Sequence, residues 1–177
     1  MQNLFIAGIK HSGKTTFARL LAKRLELESV DSDDLVLRRI APLSVREYYA
    51  KEGKESFMRT ELEAIKEFVS TQEAPFIMSL GGGASDNSEL IEYIRKNGKL
   101  IYLRRKEKEM LPVILKHGIP AFLDSEDLEG SFHRLYQKRD GIYRAIADKT
   151  VEMGCYRDRA ETLESLIEQL EDIIDER

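Results

Sequence analysis

The chain has no tryptophan and one cysteine, Cys155, among its 177 residues. One thiol cannot close an internal disulfide, so a reducing compartment is the natural setting. With no motif around it, Cys155 reads as a small buried hydrophobe. No apolar run approaches the roughly 20 residues that span a bilayer. The opening MQNLFIAGIK lacks a positive n-region and a small-residue cleavage site, so no signal peptide is expected and the location expected is the cytoplasm. A basic excess is missing too. The net charge of −4 and pI near 5.6 argue against a general nucleic-acid binder, while leaving room for a local basic pocket. No internal repeat or low-complexity linker breaks the sequence, and one domain over residues 1–177 is expected.

What is present is a regular alternation of strand and helix patterns. The run Leu4-Phe5-Ile6-Ala7 is apolar throughout, as a strand covered on both faces must be. After a glycine turn, Phe17, Leu20, Leu21 and Leu25 recur at helical spacing. ESV before Asp31 is a short strand candidate, and helices are expected around Ser44 to Lys51 and Lys54 to Ser70. A further strand, PFIMSL (75–80), runs into Gly81-Gly82-Gly83. Helix returns over Ser88 to Lys96, with Asn97-Gly98 as its C-cap. KLIYLR (99–104) reads as a strand, 107–116 as helix and His117 to Glu126 as a loop. A long helix over 128–148 leads to a short strand, TVEM. The last helix carries Leu163, Leu166, Ile167, Leu170, Ile173 and Ile174 on one face, suited to packing on the chain's own sheet. Such strand–helix units give an α/β fold with a mainly parallel sheet.

Gly8-Ile9-Lys10-His11-Ser12-Gly13-Lys14-Thr15 matches G-x-x-x-x-G-K-[ST] at every fixed position, between an apolar strand and an amphipathic helix. Glycines let the backbone curl until successive N–H groups face phosphate oxygens, and the helix adds the positive end of its dipole. Lys14 is placed to reach the β- and γ-phosphates, and Thr15 to ligate magnesium. The nucleotide-binding set is therefore Gly8, Lys10, Ser12, Gly13, Lys14, Thr15 and Thr16. A glycine turn that binds nothing is the alternative, and the strand–loop–helix context speaks against it. The ligand is ATP or GTP.

Asp31-Ser32-Asp33 falls at a strand's carboxyl end, the edge where open α/β sheets hold ligands. Alternate residues can send one carboxylate to a metal and the other to an acceptor hydroxyl. The same string, DSDD, also makes a good helix N-cap. Gly81-Gly82-Gly83 admits a close approach of backbone to ligand, or is a loose turn. Arg139 and Tyr143 stand one helical turn apart in RDGIY, and a solvated basic face is the plainer use of that arginine.

Taken in order, GIKHSGKTT, DSD, EGKESFMRTE, GGG and RDGIYRAIAD resemble the shikimate kinase family of small P-loop kinases, over nearly the whole chain. The resemblance implies a three-layer α/β/α fold with a central five-stranded parallel sheet and a mobile lid near 108–127. It implies acceptor-binding helices near 33–62. MgATP would donate its γ-phosphoryl group in line to a ring hydroxyl of a small-molecule acceptor. The roles implied are Lys14 and Thr15 on phosphates and magnesium, and Asp31 supporting the metal through water. Asp33 would face the acceptor hydroxyl as orienter or general base. Gly81, Gly82 and Gly83 would line the acceptor pocket, and Arg139 would pair with the acceptor's carboxylate.

Two positions depart from the family pattern. Met58 stands where an acceptor-binding arginine belongs in Phe57-Met58-Arg59-Thr60-Glu61. Arg59 is the substitute available there, although one helix position turns a side chain by about 100°. Ile119-Pro120-Ala121-Phe122 replaces the lid's Arg-Pro-Leu-Leu, with Lys10, Lys116 or His117 as sources of the missing charge. These departures keep two other readings in view: a kinase for a less anionic alcohol, and a nucleotide-binding regulator with little kinase activity. The arrangement fits gluconate or nucleoside-monophosphate kinases less well, and no Asn-Lys-x-Asp string marks a GTPase.

Overall fold

The computed structural model describes residues 2–116, 123–154 and 158–175. Five strands, β1 (Leu4–Ala7), β2 (Glu28–Asp31), β3 (Phe76–Ser79), β4 (Lys99–Arg104) and β5 (Lys149–Glu152), form one sheet in the order β2-β3-β1-β4-β5. Every pairing is parallel. The helices among the described residues are α1 (Lys14–Leu25), α2 (Ser32–Ile40), α3 (Val45–Ser70), α4 (Ser88–Asn97), α5 (Glu107–Lys116), α6 (Leu128–Ile146) and α7 (Arg159–Ile174).

The two-residue period of the strands divides the core into two layers. Leu4, Ile6, Ile77, Ile101, Leu103 and Val151 face Phe17, Ala18 and Leu21 of α1 and Leu166, Leu170 and Ile173 of α7. Their alternates Phe5, Ala7, Phe76, Met78, Leu100 and Tyr102 face Leu62 and Ile65 of α3, Leu90, Ile91 and Ile94 of α4, and Tyr143 of α6. Each fully buried large apolar side chain is worth about 1.5–3 kcal/mol, so the continuous apolar strands are what holds the three layers together. The apolar stripe of α7 packs on the sheet, as its spacing predicts.

Local chemistry sets the element ends. Ser44 and Glu47 form a reciprocal capping box that starts α3, and Gly53, at φ 80°, breaks that helix into the two stretches read from the sequence. Two boundaries differ. The C-cap Gly98 is extended rather than left-handed (φ 166°); a side chain there would collide with the Asn3 carbonyl, so glycine serves a close approach of backbones. The chain leaves α6 at Ile146, earlier than 148, because Asp148 is drawn to the sheet edge, where its carboxylate accepts from Leu100 N at 2.8 Å. α2 was not among the helices read from the sequence; Asp31 initiates it by accepting from Asp33 N at 3.0 Å.

Candidate active site

Three strands deliver the site at their carboxyl ends: β1 runs into Gly8, β2 into Asp31–Asp33 and β3 into Gly81. Register places Ser79 opposite both Ile6 and Asp31, so the β3 end joins the phosphate loop to the carboxylate pair.

The loop after β1 curls through left-handed residues at His11 (φ 66°) and Gly13 (φ 100°), a conformation that glycine adopts without a Cβ penalty. Gly8 backs closely onto Ser12 and the Leu103 carbonyl. The Ser12 hydroxyl is buried without a protein partner. Side chains cap the starts of α2, α3, α4, α6 and α7. α1 starts at Gly13 with no side-chain cap, leaving its first N–H groups for an anion. Lys14 is buried and its Nζ lies 3.3 Å from the Ile9 carbonyl. Burial lowers Lys14 to about 8 against the pull of Asp33 and Asp31, while Arg139 and Lys10 push the same way as burial. Those five groups therefore share one field. Thr16 is exposed and lines a cavity of about 200 Å³ with Gly13, Phe17, Arg105, Asp158, Arg159 and Thr162.

Asp31 does both things the sequence left open. One oxygen caps α2; the other accepts from Thr15 Oγ1 and Ser79 Oγ, each at 2.8 Å. Capping fixes the carboxylate beside Thr15, where a metal–phosphate complex would lie. Among the described residues no cluster of three or more His, Cys, Asp or Glu could hold a metal by itself. One hydroxyl and one carboxylate suit magnesium, which keeps waters and phosphate oxygens as most of its ligands.

Asp33 opens onto the cleft between α2, α3 and the glycine run. Its surface stays accessible, yet protein walls it in; burial first and the charge of Asp31 second raise it above the ordinary carboxylate range, while Lys14 opposes them. Gly81 is buried, donates to Ser32 Oγ at 2.9 Å and has no room for a side chain: a Cβ there would stand 2.8 Å from Asp33 Oδ1 and 3.3 Å from Glu61 Oε1. Gly82 backs onto Lys10, and Gly83 leads to Arg139, whose Nη2 is 3.7 Å from where a Cβ would lie. Arg139 is buried and donates to Asp86 Oδ2 at 3.0 Å, so it is a held guanidinium rather than part of a solvated face. Tyr143, one turn on, is also buried and accepts from Ser85 N at 3.2 Å.

Of the residues anticipated, the structure gathers Gly8, Lys10, Ser12, Gly13, Lys14, Thr15, Thr16, Asp31, Asp33, Gly81, Gly82, Gly83 and Arg139 around this edge. Arg59 is different: it is exposed on α3, because the next helix position points away from the face that carries Met58 and Glu61. His117 and the lid stretch Ile119 to Phe122 lie outside the described residues, as does Cys155. Residues not picked out as site groups also belong here. Asp86 holds Arg139, and Glu61, 4% exposed, accepts from Asn87 Nδ2 at 3.1 Å. Burial raises Glu61 to about 7, with Asp33 adding to the effect and Asn87 opposing it. Glu61 shares a helical stripe with Phe57, Ile65 and Phe68; an acid where the period asks for an apolar residue was the available sign.

A phosphate loop, a magnesium-compatible pair and an acceptor cleft at the carboxyl edge of a parallel sheet define a small P-loop kinase. A family model for shikimate kinase matches residues 10–171. Shikimate kinases of Francisella tularensis subsp. holarctica are 30% identical to the chain over 151 residues, with 85% of either sequence covered. The structure of shikimate kinase from Acinetobacter baumannii in complex with shikimate superposes with a TM-score of 0.83 at 26% identity, covering 97% of this chain and 94% of that one. Shikimate kinase from Bacteroides thetaiotaomicron, at 22% identity and a TM-score of 0.82 over 97% and 98% of the chains, shares the fold. The chain belongs to the shikimate kinase family, and it is an ATP-dependent small-molecule kinase.

Proposed function

We propose that this kinase transfers the γ-phosphoryl group of MgATP to a ring hydroxyl of shikimate, in the cytoplasm, as a step of aromatic amino acid biosynthesis. The observation that carries the reading is the convergence of Lys14, Asp33 and Arg139 on one cleft floored by Gly81–Gly83. Lys14 and the uncapped start of α1 hold the triphosphate. Magnesium, held by Thr15 with Asp31 behind it, would neutralise charge on the phosphates. Asp33, made more basic by its surroundings, orients the acceptor hydroxyl and takes its proton as the bond to phosphorus forms. Arg139, kept in place by Asp86, offers the planar fork that matches the acceptor's carboxylate. α2 and the first half of α3 form the acceptor side of the cleft.

The test is ADP release from MgATP with and without shikimate, with Lys14→Ala as the blank. Shikimate-dependent release that disappears in the variant is the expected result. Unstimulated release with ATP binding intact would overturn the assignment and turn the search to other alcohols, the reading that Met58 and the outward Arg59 favour.

A further inference from the structure

Glu61 lies on the acceptor side of the cleft with no basic group against it. Its Oε1 and Asp33 Oδ1 both crowd the open face of Gly81, at 3.3 and 2.8 Å from the position a Cβ would take. Its Oε2 accepts from Asn87 Nδ2, and the same amide donates to the Met58 carbonyl at 2.9 Å. Met58 stands one helical turn before Glu61, the place from which a cation on α3 would have answered the carboxylate.

We propose that Glu61 is an acceptor-binding and specificity-determining residue that enters the productive complex as a carboxylic acid and donates a hydrogen bond to the acceptor's carboxylate. This rests on the reading of the cleft as a site for shikimate. Two ionised carboxylates and an anionic acceptor in one narrow cleft repel strongly, whereas an acid against a carboxylate makes a short, charge-assisted hydrogen bond. Arg139 then holds the acceptor from α6 and Glu61 holds it from α3, where Met58 cannot. The titratable groups facing Glu61 agree with a bound proton. Asp33 of α2 raises its affinity for one, and Tyr143 of α6, which feels the charge of Glu61, is itself pushed up by burial. Lys14 and Lys10 act on Asp33. The proton is bound up to a pH of about 7.

The experiment is the pH profile of the shikimate KM and of kcat from pH 6 to 8 at saturating MgATP, for wild type, Glu61→Gln and Met58→Arg. Wild-type KM rises about tenfold over that interval, as binding linked to one proton near pH 7 requires, with a smaller change in kcat. Glu61→Gln keeps a donor that does not titrate, so its KM stays near the wild-type value at pH 6 throughout. Met58→Arg pairs with ionised Glu61 and removes the rise. Calorimetry of shikimate binding at pH 7.5, in buffers of different ionisation enthalpy, shows proton uptake by wild type, which covers the case of a poorly folded variant. A wild-type KM flat in pH, a rise retained in Glu61→Gln, or binding without proton uptake each overturns the proposal while leaving shikimate phosphorylation standing. No shikimate turnover or binding at any pH overturns both.

Discussion

The carboxyl of Glu61 ties the acceptor cleft to the stability of the whole fold. Its ordinary value is 4.5, and burial on α3 raises it to about 7. The folded state therefore favours the protonated form. Its contribution to stability is complete below pH 4.5 and fades as pH rises through about 7. At about 1.4 kcal/mol per pH unit, the loss reaches at most about 3 kcal/mol above pH 8. Glu61→Gln carries no charge at any pH, and its amide oxygen can still accept from Asn87. The variant should match wild type within about 1 kcal/mol near pH 5 and exceed it by about 2–3 kcal/mol near pH 8.5. Urea unfolding at the two pH values measures this directly, and only the change in the variant-minus-wild-type difference matters, because all other titrations cancel. A difference independent of pH, or a variant less stable at pH 8.5, would refute the assignment of a displaced carboxyl and weaken the case for a proton-carrying acceptor site.

Gly81→Ala places a methyl group against Asp33 Oδ1 and Glu61 Oε1; the shikimate KM should rise tenfold or more while the thermal midpoint moves little, since the backbone there needs no left-handed φ. Asp31→Asn keeps an acceptor for the α2 cap or for the Thr15 and Ser79 hydroxyls, and loses the charge behind the metal. Stability should fall by about 1–2 kcal/mol, and the magnesium concentration for half-maximal turnover should increase, which a titration of rate against magnesium reads. Tyr102→Phe removes a fully buried hydroxyl that donates to Asp140 Oδ1 at 2.8 Å, while Arg104 Nε still holds the same oxygen at 2.6 Å. Unfolding should cost about 1–2 kcal/mol less, with kcat and KM unchanged; a kinetic defect would show that this network reaches the active site.

The parts of this molecule that can be read from its string are those where one local requirement dominates. Apolar strands must be covered on both faces, so LFIA, FIMS and LIYL announce a parallel sheet, and their alternation already assigns Phe5 and Ile6 to opposite layers. The phosphate loop is legible because its glycines answer backbone geometry that no other residue meets as easily. Asp31 was ambiguous in sequence because capping and metal support ask for the same short carboxylate, and the fold uses one oxygen for each. That double use also hid α2, whose first residues read as chemistry instead of a helix start. Glu61 and Asp86 are harder, since their importance lies in partners 26 and 53 residues away, and spacing along the chain carries no trace of such pairs. Met58 shows the same limit from the other side. As a missing arginine it reads only as a loss, but in the fold its absence is what leaves a buried acid beside the acceptor with nothing to neutralise it except a proton.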